Sequence, residues 1–253
     1  MYKLLDDLLN IDISDISLIE PINNIKENYI LEVIDDNPFL SKNFIITIKK
    51  FIKFQTSINY NNNYIYIFYD KNDNIKINKI INKIKIIINY LNNFTKIEGM
   101  ILYLILSDVK KNLINKTYLL NGDNINSGIC SSTYIYIWRE EELFKVLIHE
   151  MMHYFKLDKY SISHKDYRNE INIKLGDNKY NLIINEAYTE LLAILINIMI
   201  YIILNNKNNK NKKKLFFKIF TNEVVHSYNN VIKILNYYNI KNFNELYTNN
   251  NFN

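Results

Sequence analysis

The run Leu147-Ile148-His149-Glu150-Met151-Met152-His153-Tyr154-Phe155 places a His-Glu-x-x-His motif inside an apolar segment of helical length. Residues four apart lie on one face of a helix, so His149 and His153 can present two imidazole nitrogens to one Zn²⁺ ion. Glu150 follows His149 directly, where its carboxylate can reach a metal-bound water and serve as general base. The motif therefore predicts a zinc-dependent hydrolase with Glu150 as its catalytic residue.

A tetrahedral zinc ion with two histidines needs a third protein ligand and a water. Metzincins supply a glycine and a third histidine after the motif, but lysines occupy those positions after His153. Glu186 and Glu190 stand four apart in a second, strongly apolar helical segment, where two carboxylates are costly to bury without a positive group. We therefore predict Glu186 as the third ligand and Glu190 as the outer acceptor that orients the first histidine. Alternative carboxylate ligands are Asp158 and Asp166, which lack this helical context.

The two motifs together resemble the gluzincin pattern of thermolysin-like and neprilysin-like peptidases. That resemblance implies that Glu186 binds zinc and that Glu190, one turn later, supports the first histidine. This chain differs in having Glu190 where those families usually have Asp, and in a longer gap between His153 and Glu186. Gluzincins also bring a downstream His or Tyr to the oxyanion, so the resemblance makes His226 or Tyr228 a candidate transition-state donor.

A second resemblance covers residues 105–200. The run from Trp138 to Glu150, with Asn126-Ser127-Gly128 ahead of it, looks like that of uncharacterised metallopeptidase-like proteins of large DNA viruses. The excess of Ile, Asn, Lys and Tyr, which is typical of an AT-rich genome, agrees with this resemblance.

An alternating segment stands directly before the motif. Ser131–Trp138 predicts a strand, and the motif helix is expected to run from about Arg139 to about Leu157. This order is the one that a zincin requires. We expect a substrate peptide to pair with the strand by β-augmentation. The residues predicted to contact that peptide are Thr133, Tyr134, Ile135 and Tyr136.

The remaining periodic segments predict an α+β, zincin-like fold, in which a mixed twisted sheet packs on the active-site helix and a C-terminal helical subdomain follows. The predicted division is an N-terminal lobe at 1–158, with the motif helix, and a mainly helical lobe at 159–253, with the third zinc ligand. Further strands are predicted within Asn43–Ile58, at Tyr64–Tyr69 and at Met100–Leu106, and helices at Tyr2–Leu9, Ile75–Leu91, Asn181–Leu204 and Phe216–Asn236.

Composition argues against several other classes of protein. The net charge of +5 is spread along the chain and gives no strong nucleic-acid signal. The basic block Asn205–Lys214 is predicted to be a solvated loop between two helices. The single cysteine, Cys130, permits no intrachain disulfide and is expected to be a small buried hydrophobe. The apolar run Leu191–Leu204 is about 14 residues long, short of the ~20 that a membrane span needs, so a buried helix and no transmembrane segment are expected.

The first residues include acids and lack the pattern of a secretory signal, which predicts a cytoplasmic location, in the host cytoplasm or the virion if the protein is viral. We expect a metallopeptidase that uses one Zn²⁺ ion to hydrolyse a peptide or protein substrate. The alternative is a catalytically inactive protein of zincin fold that binds peptides. The oligomeric state stays open.

Overall fold

The structure is a computed structural model that describes residues 40–71, 73–111, 122–158, 184–205, 211–241 and 245. The helix predicted at Tyr2–Leu9 therefore lies outside the described residues. In chain order the elements are α1 Lys42–Phe51, β1 Phe54–Tyr60, β2 Asn63–Tyr69, α2 Asn74–Leu91, β3 Ile101–Ile105, α3 Gly122–Ile125, β4 Gly128–Cys130, β5 Tyr134–Ile137, α4 Leu143–Tyr154, α5 Ile184–Asn205 and α6 Lys212–Tyr237.

The strands form one mixed sheet in the order β1-β2-β3-β5-β4. β1 and β2 make an antiparallel hairpin, β2 and β5 run parallel to β3, and β4 runs antiparallel to β5 at the far edge. Asn61 and Asn62 form the hairpin turn with φ angles of 51° and 58°, the left-handed pair that suits a two-residue hairpin. The predicted α+β class with a mixed sheet is confirmed. The strands predicted at Tyr64–Tyr69 and Met100–Leu106 are present as β2 and β3.

Helices cover both faces of the sheet. Successive residues of a strand point to opposite faces, so Leu102 and Tyr103 of β3 enter different cores. Leu102 packs in the main core with Ile84 of α2 and Leu147 of α4. Tyr103 belongs to a smaller core that includes Ile48 of α1. The sheet therefore carries α4, with the motif, on the face opposite α1.

The prediction of a strand across Asn43–Ile58 is wrong in its first half, where the chain forms α1. Ser41 caps this helix, and its Oγ accepts a hydrogen bond from Phe44 N at 3.2 Å. The buried residues of α1 are Ile45 and Ile48, a helical spacing that the β-branched composition concealed. Packing of this one face on the sheet decides the local structure.

The motif helix begins later than the sequence predicts. Arg139 precedes α4 and is fully buried, so it cannot belong to an exposed, acidic first turn. Its guanidinium donates hydrogen bonds to the backbone oxygens of Asn126, Val109 and Asp123. These bonds tie the loop before β4 and the loop after β3 to the start of the helix.

The same helix also ends earlier than predicted, at Tyr154. Lys156 adopts a φ of 57°, and Leu157 N donates to Met152 O at 2.8 Å. This is the closing pattern of a helix that is ended by a left-handed residue. The chain therefore turns sharply, and Asp158 comes back toward the last turn of α4.

α5 and α6 confirm the helices predicted at Asn181–Leu204 and Phe216–Asn236, although residues 181–183 lie outside the described part. α5 shares the main core with α2 and α4, and the predicted division of the chain at residue 158 stays a prediction. α6 begins at Lys212, so Lys212–Lys214 form its first turn and not a solvated loop. This corrects part of the loop prediction for Asn205–Lys214, and Asn205 is the last residue of α5. Residues 206–210 lie outside the described residues.

The apolar part of α5 is longer than the run Leu191–Leu204 that stands out in the sequence. Within the part of the chain that the structure describes, it contains the one segment, Asn185–Asn205, whose length of 21 residues and composition would allow it to cross a membrane, and 39% of its apolar window is buried. A single helix of this kind is weak evidence for a membrane span, because the core helix of a soluble protein has the same properties. The expected absence of a transmembrane segment stays a prediction.

Candidate metal centre

Two imidazoles converge at the surface of α4. Leu147, Ile148 and Met151 bury the rest of this helix in the core, which leaves His149 and His153 half-buried on its open side. Their Nε2 atoms are 3.0 Å apart, so both rings point at one position. This is the arrangement that the spacing of the motif predicts.

Glu186, in the first turn of α5, completes the group. Its Oε2 is 3.3 Å from His149 Nε2 and its Oε1 is 3.5 Å from His153 Nε2. One donor atom from each of the three residues lies within 4.8 Å of the others, so the group could hold a metal ion. The side chain of Glu186 is 57% exposed, which leaves the position open to solvent. The structure thus brings together the three predicted ligands.

Glu190 stands behind His149, as predicted. Its Oε2 lies 3.2 Å from His149 Nδ1, the ring nitrogen that faces away from the other ligands, and its Oε1 lies 2.5 Å from Lys145 Nζ. Burial alone raises the pKa of Glu190, but the contacts with His149 and Lys145 outweigh it and lower the pKa to about 2. For His149, burial lowers the pKa, but Glu190 and the nearby Glu150 and Glu186 raise it overall. Glu190 is therefore a firmly ionised partner of the imidazole.

Asp158 contacts the outer ring nitrogen of His153, as Glu190 does for His149. Its Oδ2 is 2.8 Å from His153 Nδ1, and the carboxylate is buried under the turn that ends α4. Asp158 therefore contacts the outer nitrogen of the ring and does not take the ligand position that the sequence left open to it. Asp166, the other alternative, lies outside the described residues. No glycine marks the turn at Lys156, so the pattern of residues there did not indicate that Asp158 would fold back.

Glu150 is a buried carboxylate, with 8% of its surface exposed. Burial raises its pKa to about 7, while the two histidines act in the opposite direction. The edge strand β4 passes beside it at Gly128. A Cβ atom at that position would lie 2.7 Å from Val146 Cγ1 and 3.2 Å from Glu150 Oε1, so only glycine allows this approach. This role of Gly128 was not predicted from the sequence.

The strand that was predicted to bind a substrate, β5, is not an edge strand, so the prediction is wrong. β5 contains Tyr134, Ile135 and Tyr136, and it is paired with β3 on one side and β4 on the other. Its backbone therefore has no free edge for a peptide, and Ile135 and Tyr136 are buried. Thr133 lies in the turn before the strand, where its backbone oxygen accepts from Tyr154 Oη at 3.5 Å. The edge strand next to the motif helix is β4.

The two candidate transition-state donors are not brought to the ligand group. His226 lines a cavity of about 460 Å³ between α2, the start of α4, α5 and α6, whose walls include Glu190 but none of the three predicted ligands. Its Nε2 lies 3.0 Å from Asn230 Nδ2. Tyr228 is 70% exposed on α6. Their proposed role stays a prediction without a supporting contact in the described residues.

Cys130 ends β4 and packs partly against the main core. Burial, with smaller effects of Glu150 and Asp158, raises the pKa of its thiol to about 12. The thiol is therefore protonated at neutral pH, as expected for a small hydrophobe and not for a nucleophile.

Comparison with known proteins gives one similarity. An uncharacterised protein of Acanthamoeba polyphaga mimivirus is 33% identical over 127 residues, which are 48% of this chain and 30% of that protein. The chain thus covers less than a third of its relative. No protein-family model matches it, and no solved structure matches it. The similarity supports the predicted connection with proteins of a large DNA virus, while the zincin-like classification and the cytoplasmic or virion location stay predictions.

Proposed function

We propose that this chain is a zinc-dependent metallopeptidase with its catalytic centre at His149, His153, Glu186 and Glu150. The observation that carries the proposal is the convergence of two imidazole nitrogens and one carboxylate oxygen from two helices, with a buried carboxylate beside them. Two imidazoles and one carboxylate form a donor set of catalytic zinc sites, which keep a fourth position open. The ionised Glu190 and the buried Asp158 behind the rings supply the outer partners that such histidines require.

The proposed roles follow from these positions. Bound zinc supplies an acidified water and a polarised carbonyl group. Glu150 accepts the proton of that water on its carboxylate and delivers it to the leaving amine. Glu190 and Asp158 hold the imidazoles in the tautomer whose Nε2 is free to bind metal.

The edge strand β4 is the proposed docking site for the substrate backbone. Among the described residues β4 pairs only with β5, so its other side can take an extended peptide. Gly128 sets this strand against Glu150, which would bring a peptide on β4 close to the general base. This position replaces the predicted pairing with β5.

A second candidate is an inactive zincin-like protein that binds zinc and peptides without cleaving them. The observation in its favour is that neither His226 nor Tyr228 reaches the ligand group, so the described residues show no transition-state donor there. Zinc content cannot separate the two candidates, because both bind the ion.

Cleavage of a peptide library by the wild-type chain and by Glu150→Gln tests the proposal. We expect wild-type cleavage that a chelator removes and added zinc restores, and a Glu150→Gln variant that retains zinc but loses about 100-fold or more in rate. Glu141→Gln is the matched control, because Glu141 is an exposed residue that pairs with Lys110 at the surface. Equal cleavage by Glu150→Gln, or cleavage that survives the chelator, would contradict the proposal. Zinc and peptide binding with no cleavage would favour the inactive candidate.

A further inference from the structure

Lys145 lies one helical turn before His149 on α4 and contacts the same carboxylate. Its Nζ is 2.5 Å from Glu190 Oε1, while Glu190 Oε2 is 3.2 Å from His149 Nδ1. One carboxylate therefore bridges an ammonium group and an imidazole. The side chain of Lys145 is 24% exposed, so this ion pair is screened less than a surface pair.

The contact between Glu190 and His149 is not sufficient to hold the carboxylate by itself. His149 Nδ1 has no fully aligned hydrogen bond although Glu190 is 3.2 Å away, and the Glu190 side chain is 40% exposed. A glutamate with one loose contact and access to water has several rotamers available. A second, shorter contact with a fixed partner removes that freedom, and Lys145 provides it.

We propose that Lys145 is a positioning residue of the metal centre, which holds Glu190 against His149 and so fixes the ring orientation in which Nε2 faces the metal. This inference rests on the metal centre proposed above. In this arrangement Lys145 positions Glu190, and Glu190 positions His149.

The location of Lys145 shows that it does not contact the predicted metal ligands directly and acts on them by positioning Glu190. Lys145 and Glu190 both line the cavity of about 460 Å³, and that cavity is lined by none of His149, His153, Glu186 and Glu150. Lys145 therefore stands on the side of Glu190 away from the ligand atoms. An effect of Lys145 on the metal ligands that is carried by contacts therefore passes through Glu190.

The test measures the zinc dissociation constant of the whole chain by competition with a chromophoric chelator. Lys145→Met removes the ammonium group and keeps the length of the side chain, while Lys145→Arg keeps the charge. Lys110→Met is the control, because Lys110 pairs with Glu141 just before the same helix, whereas the partner of Lys111, Glu142, also pairs with Lys145. Each variant is also made in a Glu190→Gln background.

We expect Lys145→Met to weaken zinc binding by roughly tenfold, the lower end of the loss seen for outer partners of metal-binding histidines. Lys145→Arg should recover most of the affinity, and Lys110→Met should leave it unchanged. In the Glu190→Gln background the same Lys145→Met change should have no further effect, because its target is gone.

An unchanged affinity in Lys145→Met would overturn the inference, and so would an equal loss in the Glu190→Gln background, which would show a general charge effect. If Lys145→Met does not fold, Lys145→Gln is held to the same expectations. A wild-type chain that binds no zinc overturns both this inference and the metal centre. A chain that shows the expected pattern of affinities but cleaves no peptide supports the role of Lys145 and refutes only the peptidase.

Discussion

Substitution of Asp158 by asparagine tests whether the outer carboxylate of His153 contributes to metal binding. In the structure Asp158 Oδ2 lies 2.8 Å from His153 Nδ1, with 8% of the Asp158 surface exposed. Asparagine has nearly the same shape and can still accept a hydrogen bond from Nδ1–H through its amide oxygen. The substitution therefore removes the negative charge and leaves the packing.

The expected size of the effect follows from the strength of the bond. A hydrogen bond that involves an ionised group contributes about 1.5–3 kcal/mol, and a neutral one about 0.5–1.5 kcal/mol. The difference of about 1–1.5 kcal/mol corresponds to roughly a tenfold loss of zinc affinity. Asp158→Ala removes the acceptor altogether and should approach the ~100-fold upper end for outer partners.

Chelator competition on the two variants measures this series directly. Asp108→Asn is the control, because Asp108 is an exposed carboxylate and the chemical change is identical. Thermal unfolding of the metal-free proteins shows whether the fold is kept. Wild-type zinc affinity in both Asp158 variants, with the fold intact, would refute the reasoning that this carboxylate orients His153.

Three further predictions concern the surroundings of the site. Gly128→Ala places a methyl group 2.7 Å from Val146 Cγ1 and 3.2 Å from Glu150 Oε1, so urea unfolding should show a free energy of unfolding that is lower by about 1–3 kcal/mol. A stability equal to wild type would contradict the close approach of the strand to the helix. Arg139→Met leaves three backbone oxygens without their donor where the loops around the buried Arg139 meet. We expect the free energy of unfolding to fall by about 3 kcal/mol or more in the same assay. A fall of less than about 1 kcal/mol would show that these loops do not depend on the Arg139 side chain. The folded-state pKa of Glu150 is raised from 4.5 to about 7, so the metal-free protein should lose stability as pH rises from 4.5 through 7, by an amount on the order of 3 kcal/mol. The Glu150→Gln variant should not show this loss. Parallel pH profiles of unfolding free energy for the two proteins would argue against the buried carboxylate.

The spacing of residues within each of two helices predicted most of the candidate metal centre. His149 and His153 share a face of α4, and Glu186 and Glu190 share a face of α5, because both pairs are four apart. The expected cost of burying two carboxylates on an apolar helix pointed to the same pair, but its premise is wrong, because the Glu186 side chain is 57% exposed and that of Glu190 is 40% exposed. The four-residue spacing depends only on the local helix, so it could be read without knowledge of the rest of the chain.

Features that depend on remote segments could not be predicted in this way. β5 lies inside the sheet because Gly128–Cys130, a strand of three residues with no alternation to reveal it, pairs along its outer side. Asp158 reaches His153 because Lys156 takes a left-handed conformation, which its residue type does not indicate. α1 forms because Ile45 and Ile48 pack on the sheet, against the strand preference of their side chains.

A crystal structure of the zinc-loaded protein, with anomalous data collected at the zinc absorption edge, would show whether His149, His153 and Glu186 bind one zinc ion. We expect one anomalous peak at about 2.0–2.2 Å from His149 Nε2, His153 Nε2 and a carboxylate oxygen of Glu186. The absence of a peak between these residues, or a peak that the two histidines bind without Glu186, would contradict it.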